Sequence, residues 1–287
     1  VAVEWWTKSR LDRVEPERAD ESWIAELWTK AEARVLLVDP RGELPVSASG
    51  DALVLGHAGG GFDPQRHLLV GLIDGIPHFA ESTTAGFPAS SLKEVGPRLD
   101  ETMRDLATTA VALHNWHSTA PFCGVCGGFT EVRAGGHSRR CTQCGRERFP
   151  RTDPAMIVAV TDPDDRLLLA RPPSWVPRRM SLVAGFVEAG ECLEQAVVRE
   201  VHEEVGLHVD DVRYVASQSW PFPRSLMVGF RASAADPGFS VDGVEVEAAG
   251  WFSRADLDAA IDAGEVSLPG ELSIAYRIIT TWRAAKL

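Results

Sequence analysis

The densest chemistry in this chain lies between Gly185 and Leu207, where Gly185, Glu191, Arg199, Glu200, Glu203, Glu204 and Gly206 keep fixed spacings. Read as a helix at 100° per residue, Glu200, Glu203 and Glu204 share an arc of roughly 100°. Val197, Val201 and Val205 fall beside that arc and give the helix an apolar side to press on a sheet. Three carboxylates so close repel one another. A divalent cation such as Mg²⁺ or Mn²⁺, which prefers carboxylate oxygens, gives them a purpose. The competing reading is a solvated acidic face on an ordinary amphipathic helix. The flanks count against it: Gly185 precedes a tight loop, Glu191 suits the positive end of the helix dipole, and Gly206 is placed to end the helix. Arg199, eight residues after Glu191, is positioned to tie helix to loop through an ion pair.

A second set of ligands is sulfur. Cys123 and Cys126, then Cys141 and Cys144, form two CxxC pairs, each followed by a glycine that lets the backbone fold around a metal-bound thiolate. Two such pairs meet the tetrahedral demand of Zn²⁺, one ion per subunit. With no open coordination position this zinc is structural. Disulfides or a redox pair are the alternative, disfavoured in a reducing compartment. Cys192 is left over and reads as a small packed residue.

The elements around these sites must supply scaffolding. A chain of 287 residues suits two domains and a sizeable core. Its net charge of −12 argues against broad binding to a phosphate backbone, so a polyanionic substrate must be met by local cations and metals. No apolar run approaches the ~18 residues of a membrane span, and the stretch following Val1 has no signal-segment pattern. Apolar runs at 35–38, 52–55 and 67–72 read as strands, and 99–116 as a helix carrying Met103, Leu106, Ala110 and Leu113 on one side. Two buried strands follow at 155–160 and 166–170, then the acidic helix, strands at 212–216 and 226–230, and a last helix from Ser273 with Ile274, Ile278 and Trp282 on one side. Strands first, then strands alternating with helices, predict mixed α/β layers.

The spacing from Gly185 to Leu207 matches the Nudix box. Downstream, Ser217, Gln218, Ser219, Trp220, Pro221, Phe222, Pro223, Arg224 and Ser225 resemble the SQPWPFPxS array of the NADH pyrophosphatase branch of Nudix hydrolases, with Ser219 in place of a proline. The prolines predict an extended segment, and Trp220 and Phe222 offer flat faces for a base; packing of the same rings in a core is the alternative. The order of N-terminal region, four-cysteine ribbon and box extends the resemblance over nearly the whole chain. It implies an α/β fold with an α+β N-terminal domain (1–119), a zinc ribbon (120–149) and a Nudix α/β/α sandwich with a mixed sheet (150–287).

The same resemblance implies Glu200, Glu203 and Glu204 as catalytic-metal ligands, with Glu245 from a later loop and Glu247 its competitor. Phe186, Phe149 (from the partner subunit), Ala184 and Ala275 correspond to substrate-contacting positions, as do Arg41 and Lys93, for which a solvated surface cation is the alternative. The implied reaction is hydrolysis of the pyrophosphate of NADH or NAD to AMP and nicotinamide mononucleotide, and of NAD caps on RNA 5′ ends. Glu203 or Glu204 would accept the water proton, and Arg199 would orient the site. ADP-ribose and diadenosine polyphosphates are alternative substrates, and a non-catalytic nucleotide sensor is the alternative of a different class. The resemblance further implies a homodimer. The thiolate site points to the cytoplasm, although the terminal Ala285-Lys286-Leu287 is close to a peroxisomal address.

Overall fold

A computed structural model describes residues 8–285 and Leu287; Lys286 of the terminal tripeptide lies outside the described residues. The chain divides into two compact units. One runs to Thr152 and takes in Pro221–Arg224, and the other holds 153–220 and 225–287.

In the first unit, helix α1 (Glu21–Trp28) starts where the Asp20 carboxylate accepts from the N–H groups of Ser22 and Trp23, and it buries Ile24, Leu27 and Trp28. Strands β1 (Arg34–Val38), β2 (His67–Ile73) and β3 (Ile76–Ser82) form the centre of a five-stranded sheet. β2 and β3 are an antiparallel hairpin, whereas β1 runs parallel to β3. The hairpin turns at Asp74 and Gly75, both with positive φ (51° and 81°), the backbone twist a two-residue connection needs. Helix α2 (Glu101–Thr119) is capped by Asp100 and buries Leu106, Ala110 and Leu113, as their spacing predicts. The strand expected at 52–55 is not formed. Serine hydroxyls of Ser47 and Ser49 bond the Asp51 carboxylate and make a turn there, so the pairing falls instead on Gly56–His57.

The ribbon in the same unit is a three-stranded antiparallel sheet of β4 (Thr130–Arg133), β5 (Ser138–Cys141) and β6 (Glu147–Arg148). Arg139 is buried, donating to the Thr130 hydroxyl and carbonyl at 2.7 Å each and to His117 Nδ1 of α2 at 2.9 Å.

The second unit is a mixed sheet between helices. β7 (Asp153–Thr161) and β8 (Leu167–Arg171) are antiparallel, β9 (Val183–Phe186) pairs along β7, helix α3 is Leu193–Val205, and β10 (Asp210–Trp220) and β11 (Ser225–Ser233) form a hairpin. β11 runs parallel to β7, and β12 (Ala248–Phe252) closes the far edge on β8. Helices α4 (Arg254–Asp262) and α5 (Ile274–Arg283) complete the unit. Period-two alternation along β7 sorts the core. Met156, Val158 and Val160 pack with Val197, Val201 and Val205 of α3, whereas Ile157 and Ala159 pack with Leu257, Ile274, Ile278 and Trp282 of α4 and α5. Helices thus cover both faces of a mixed sheet. No helix among the described residues is long and apolar enough to cross a membrane.

Candidate active site and metal centres

Helix α3 begins with a capping box in which Cys192 is the N-cap and its N–H donates to Gln195 Oε1 at 2.9 Å. Cys192 is exposed, not packed. The helix stops at Gly206, whose left-handed backbone (φ 68°) lets its N–H return to the His202 carbonyl at 2.9 Å. Its apolar side anchors it to the sheet, which turns Glu200 and Glu204 inward, only 7% and 8% exposed; Glu203 stays exposed. Gly185 of β9 is why Glu200 fits: a Cβ there would lie 2.0 Å from the Glu200 carboxyl.

Arg199 organises the surroundings. It donates to both carboxylate oxygens of Glu191 at 2.8 Å, to the Phe186 carbonyl at 2.9 Å and to Glu203 at 3.0 Å, and lies 3.0 Å from Glu200 Oε1. The Arg199 hydrogen bonds, with the Glu188 N–H, hold the Glu191 carboxyl down at about 2. The guanidinium ties β9, the loop before α3 and the helix itself into one piece.

Glu245 joins the inward carboxylates: one oxygen from each of Glu200, Glu204 and Glu245 lies within 4.8 Å of the others. Asp242 brings it there. Its carboxylate accepts from the N–H groups of Glu245 and Val246 at 3.0 and 2.9 Å, and its own N–H donates to the Glu204 carbonyl at 3.1 Å. Glu247, the competitor, is turned to Arg171 at 3.0 Å. Burial, followed by the charges of Glu200, Glu245, Asp242 and Glu203, pushes Glu204 up to about 8, and burial raises Glu200. An oxygen-only donor set of this charge fits a hard divalent cation, whose binding removes the repulsion that otherwise keeps a proton on Glu204.

The four cysteine sulfurs also lie within 4.8 Å of one another, with Cys123–Cys144 at 3.8 Å and Cys126–Cys141 at 3.5 Å. A zinc ion with bonds near 2.3 Å needs tetrahedral sulfurs about 3.8 Å apart, so the set fits. Gly127 and Gly145 take positive φ (73° and 69°) to close the two knuckles on the Cys123 and Cys141 carbonyls. The Cys144 N–H lowers Cys141 to about 6. Cys126, despite the favourable Gly128 N–H, is pushed up to about 12 by hydrogen bonds from Cys144 and Cys141. The cluster therefore keeps a proton for a metal to displace.

Residues 151–268 match the NUDIX domain model, and 118–149 match the NADH pyrophosphatase zinc ribbon domain. The NAD-capped RNA hydrolase NudC of Mycobacterium tuberculosis (strain ATCC 25177 / H37Ra) is 41% identical over 96% of this chain and 93% of its own. The protein of that name from Stutzerimonas stutzeri (strain A1501) is 39% identical over 76% of this chain and 78% of its own, and that from Pseudomonas aeruginosa (strain LESB58) 46% identical over 60% and 58%. This chain belongs to the NADH pyrophosphatase family of Nudix hydrolases. The enzyme carries both the family's ribbon and its acidic helix, in a mixed α/β fold.

The remaining sequence-derived residues are dispersed in kind. In the second unit, Phe186 is 59% exposed and Ala184 is exposed, whereas Ala275 is on the buried side of α5, in the core. Gln218 engages both ends of its amide internally, donating to the Leu272 carbonyl and accepting from the Ile274 N–H at 2.7 Å each, so it seats the start of α5. Ser217, Ser219 and Trp220 end β10, and Ser225 begins β11. Pro221–Arg224 is a turn between them, not the extended segment expected, because four residues must reverse the chain at the hairpin end. In the first unit, Phe149 is 63% exposed, and Lys93 Nζ sits 4.4 Å from the centre of the Phe222 ring. Arg41 is exposed and pairs with Asp39 and Glu43 of its own loop at 3.3 and 2.6 Å. Sequence reasoning missed Asp242, for which the Asp-Gly pair at 242–243 followed by acidic residues is the available signal, and Asn115, for which there is none.

Proposed function

We propose that the enzyme hydrolyses the pyrophosphate of NADH and NAD, water adding to one phosphorus and the bridging P–O bond breaking, to give AMP and nicotinamide mononucleotide. The same cleavage would release NAD caps from RNA 5′ ends. The observation that carries this reading is the convergence of buried Glu200 and Glu204 with the exposed Glu245, Glu200 filling the gap left by Gly185, in a chain of this family. Mg²⁺ or Mn²⁺ held there would neutralise the phosphates and acidify water. Glu204, buried within the set, is our choice to take the proton from attacking water, over Glu203, which is engaged by Arg199. Arg199 orients the carboxylates and does not exchange protons. The exposed faces of Phe186 and Phe149 are available for ring stacking, and the array from Ser217 to Ser225 is assigned to the dinucleotide on the family resemblance, with Gln218 shaping it from within rather than touching substrate.

We further assign three functional parts, 1–119, 120–149 and 150–287, with one structural zinc per chain, a homodimer in which Phe149 serves the partner's site, and a cytoplasmic location suited to reduced cysteines. The test is chromatographic detection of AMP and nicotinamide mononucleotide from NADH with Mg²⁺ or Mn²⁺, run in competition with NAD, ADP-ribose, diadenosine polyphosphate and NAD-capped RNA. Preference for ADP-ribose or diadenosine polyphosphate would replace the substrate reading. Inactivity on all of them would sink it. Light scattering that finds an active monomer would remove the dimer.

A further inference from the structure

The turn Pro221–Arg224 joins two strands of the catalytic sheet yet packs as part of the N-terminal unit. Asn115 of α2 holds it: the Nδ2 amino group donates to the Pro221 carbonyl at 2.8 Å and to the Pro223 carbonyl at 3.2 Å. The chemistry of the turn explains the need. Pro221 and Pro223 contribute carbonyl acceptors but no N–H, so the segment is short of donors, and one side-chain amide supplies two. The Pro221 carbonyl belongs to the peptide plane that enters Phe222 and the Pro223 carbonyl to the plane that leaves Pro223, so the two contacts bracket the Phe222–Pro223 pair. Pinning both ends of that pair, in which the Pro223 ring locks φ, restricts the direction in which the Phe222 ring projects. Lys93, from the one-turn helix Leu92–Val95, lies over that ring at 4.4 Å and holds it further.

We infer that Asn115 is a positioning residue for substrate binding: from the N-terminal unit it sets the orientation of the Pro221–Arg224 turn, and through it the presentation of Phe222 to the dinucleotide. This rests on the proposed role of the array in binding substrate.

Asn115→Asp keeps the shape and removes both donors; Asn115→Ala removes them without adding charge. KM and kcat are to be measured with whichever of NADH, ADP-ribose or diadenosine polyphosphate the wild type hydrolyses, so failure of the NADH assignment does not blur the outcome. Thermal midpoint and amide exchange at Phe222, Arg224 and Ser225 are to be measured alongside. The expected result for both variants is a KM raised on the order of 10-fold, kcat within about 2-fold, faster exchange confined to the turn, and a nearly unchanged midpoint. Asn115→Gln, which keeps the two donors, should recover part of the KM. An unchanged KM with either variant, or loss of kcat in step with a lowered midpoint, would overturn the inference and leave Asn115 a structural brace.

Discussion

The enzyme gathers two sets of metal donors, and they are built on opposite principles. The four sulfurs of the ribbon sit on backbone knuckles whose N–H groups point at them, as the Cys144 N–H does at Cys141 (3.4 Å). Of the three carboxylates, Glu200 and Glu204 are turned inward by the packing of α3 and Glu245 is brought to them by its loop, and Glu204 has no hydrogen-bond donor among the described residues. A set that closes a tetrahedron leaves no place for substrate. A set of three crowded oxygens, with Arg199 supporting only the Glu200 side, leaves coordination positions open and depends on a cation for Glu204 to stay charged. The contrast teaches that one centre holds the fold and the other is held by the fold for chemistry.

The sharpest way to break that comparison is at the carboxylates. Glu204→Gln should lower hydrolysis by on the order of 10³-fold while the fold survives, read as AMP release beside a thermal melt. Near wild-type turnover in that variant would end the assignment of the site. Gly185→Ala should cost about 10²-fold, because the added Cβ displaces the Glu200 carboxyl; an unchanged rate would show that the gap is not required. At the sulfurs the signs exchange. Cys123→Ser should lower the thermal midpoint by on the order of 10 °C and abolish stoichiometric zinc, with activity lost only as folding is lost.

Titration sharpens the contrast further. Glu204 is raised from 4.5 to about 8, so between those values the metal-free folded protein keeps a proton that the unfolded chain has released. Stability of the metal-free catalytic unit should therefore fall as pH climbs from about 4.5 to 8, and added Mg²⁺ or Mn²⁺ should cancel the slope. In the N-terminal unit, burial lowers His117 and His137 to about 4, so the stability they contribute is present above 6.5 and lost as pH falls toward 4. Melts of the two units with opposite pH slopes are the expected pattern; slopes of one sign would break it. The smallest effect belongs to Arg41→Ala. Its pairing within its own loop predicts a change in kcat/KM below about 2-fold.

The sequence made the helical registers of Glu200 and Glu204, the Arg199–Glu191 pair and the knuckle glycines legible because each depends on local spacing. The fold was legible where apolar runs were long, as in β7, β11 and α5. It was not legible in β9, whose Gly185 and Phe186 serve the site rather than the strand, nor at 52–55, where serine and aspartate chemistry took the backbone. Long-range geometry escaped as well. Nothing in the residues around position 115 announces that an amide on α2 meets a turn a hundred residues later.

The buried contact of Arg139 with His117 has one more consequence. The guanidinium always donates, so His117 Nδ1 must accept, and its Nε2–H is left for the Gly136 carbonyl at 2.8 Å. One ring tautomer is thereby selected, and the imidazole becomes a directional link between α2 and the ribbon. Protonating it would set a second cation against Arg139, so acid loosens the ribbon's seat on α2 by turning an acceptor into a donor.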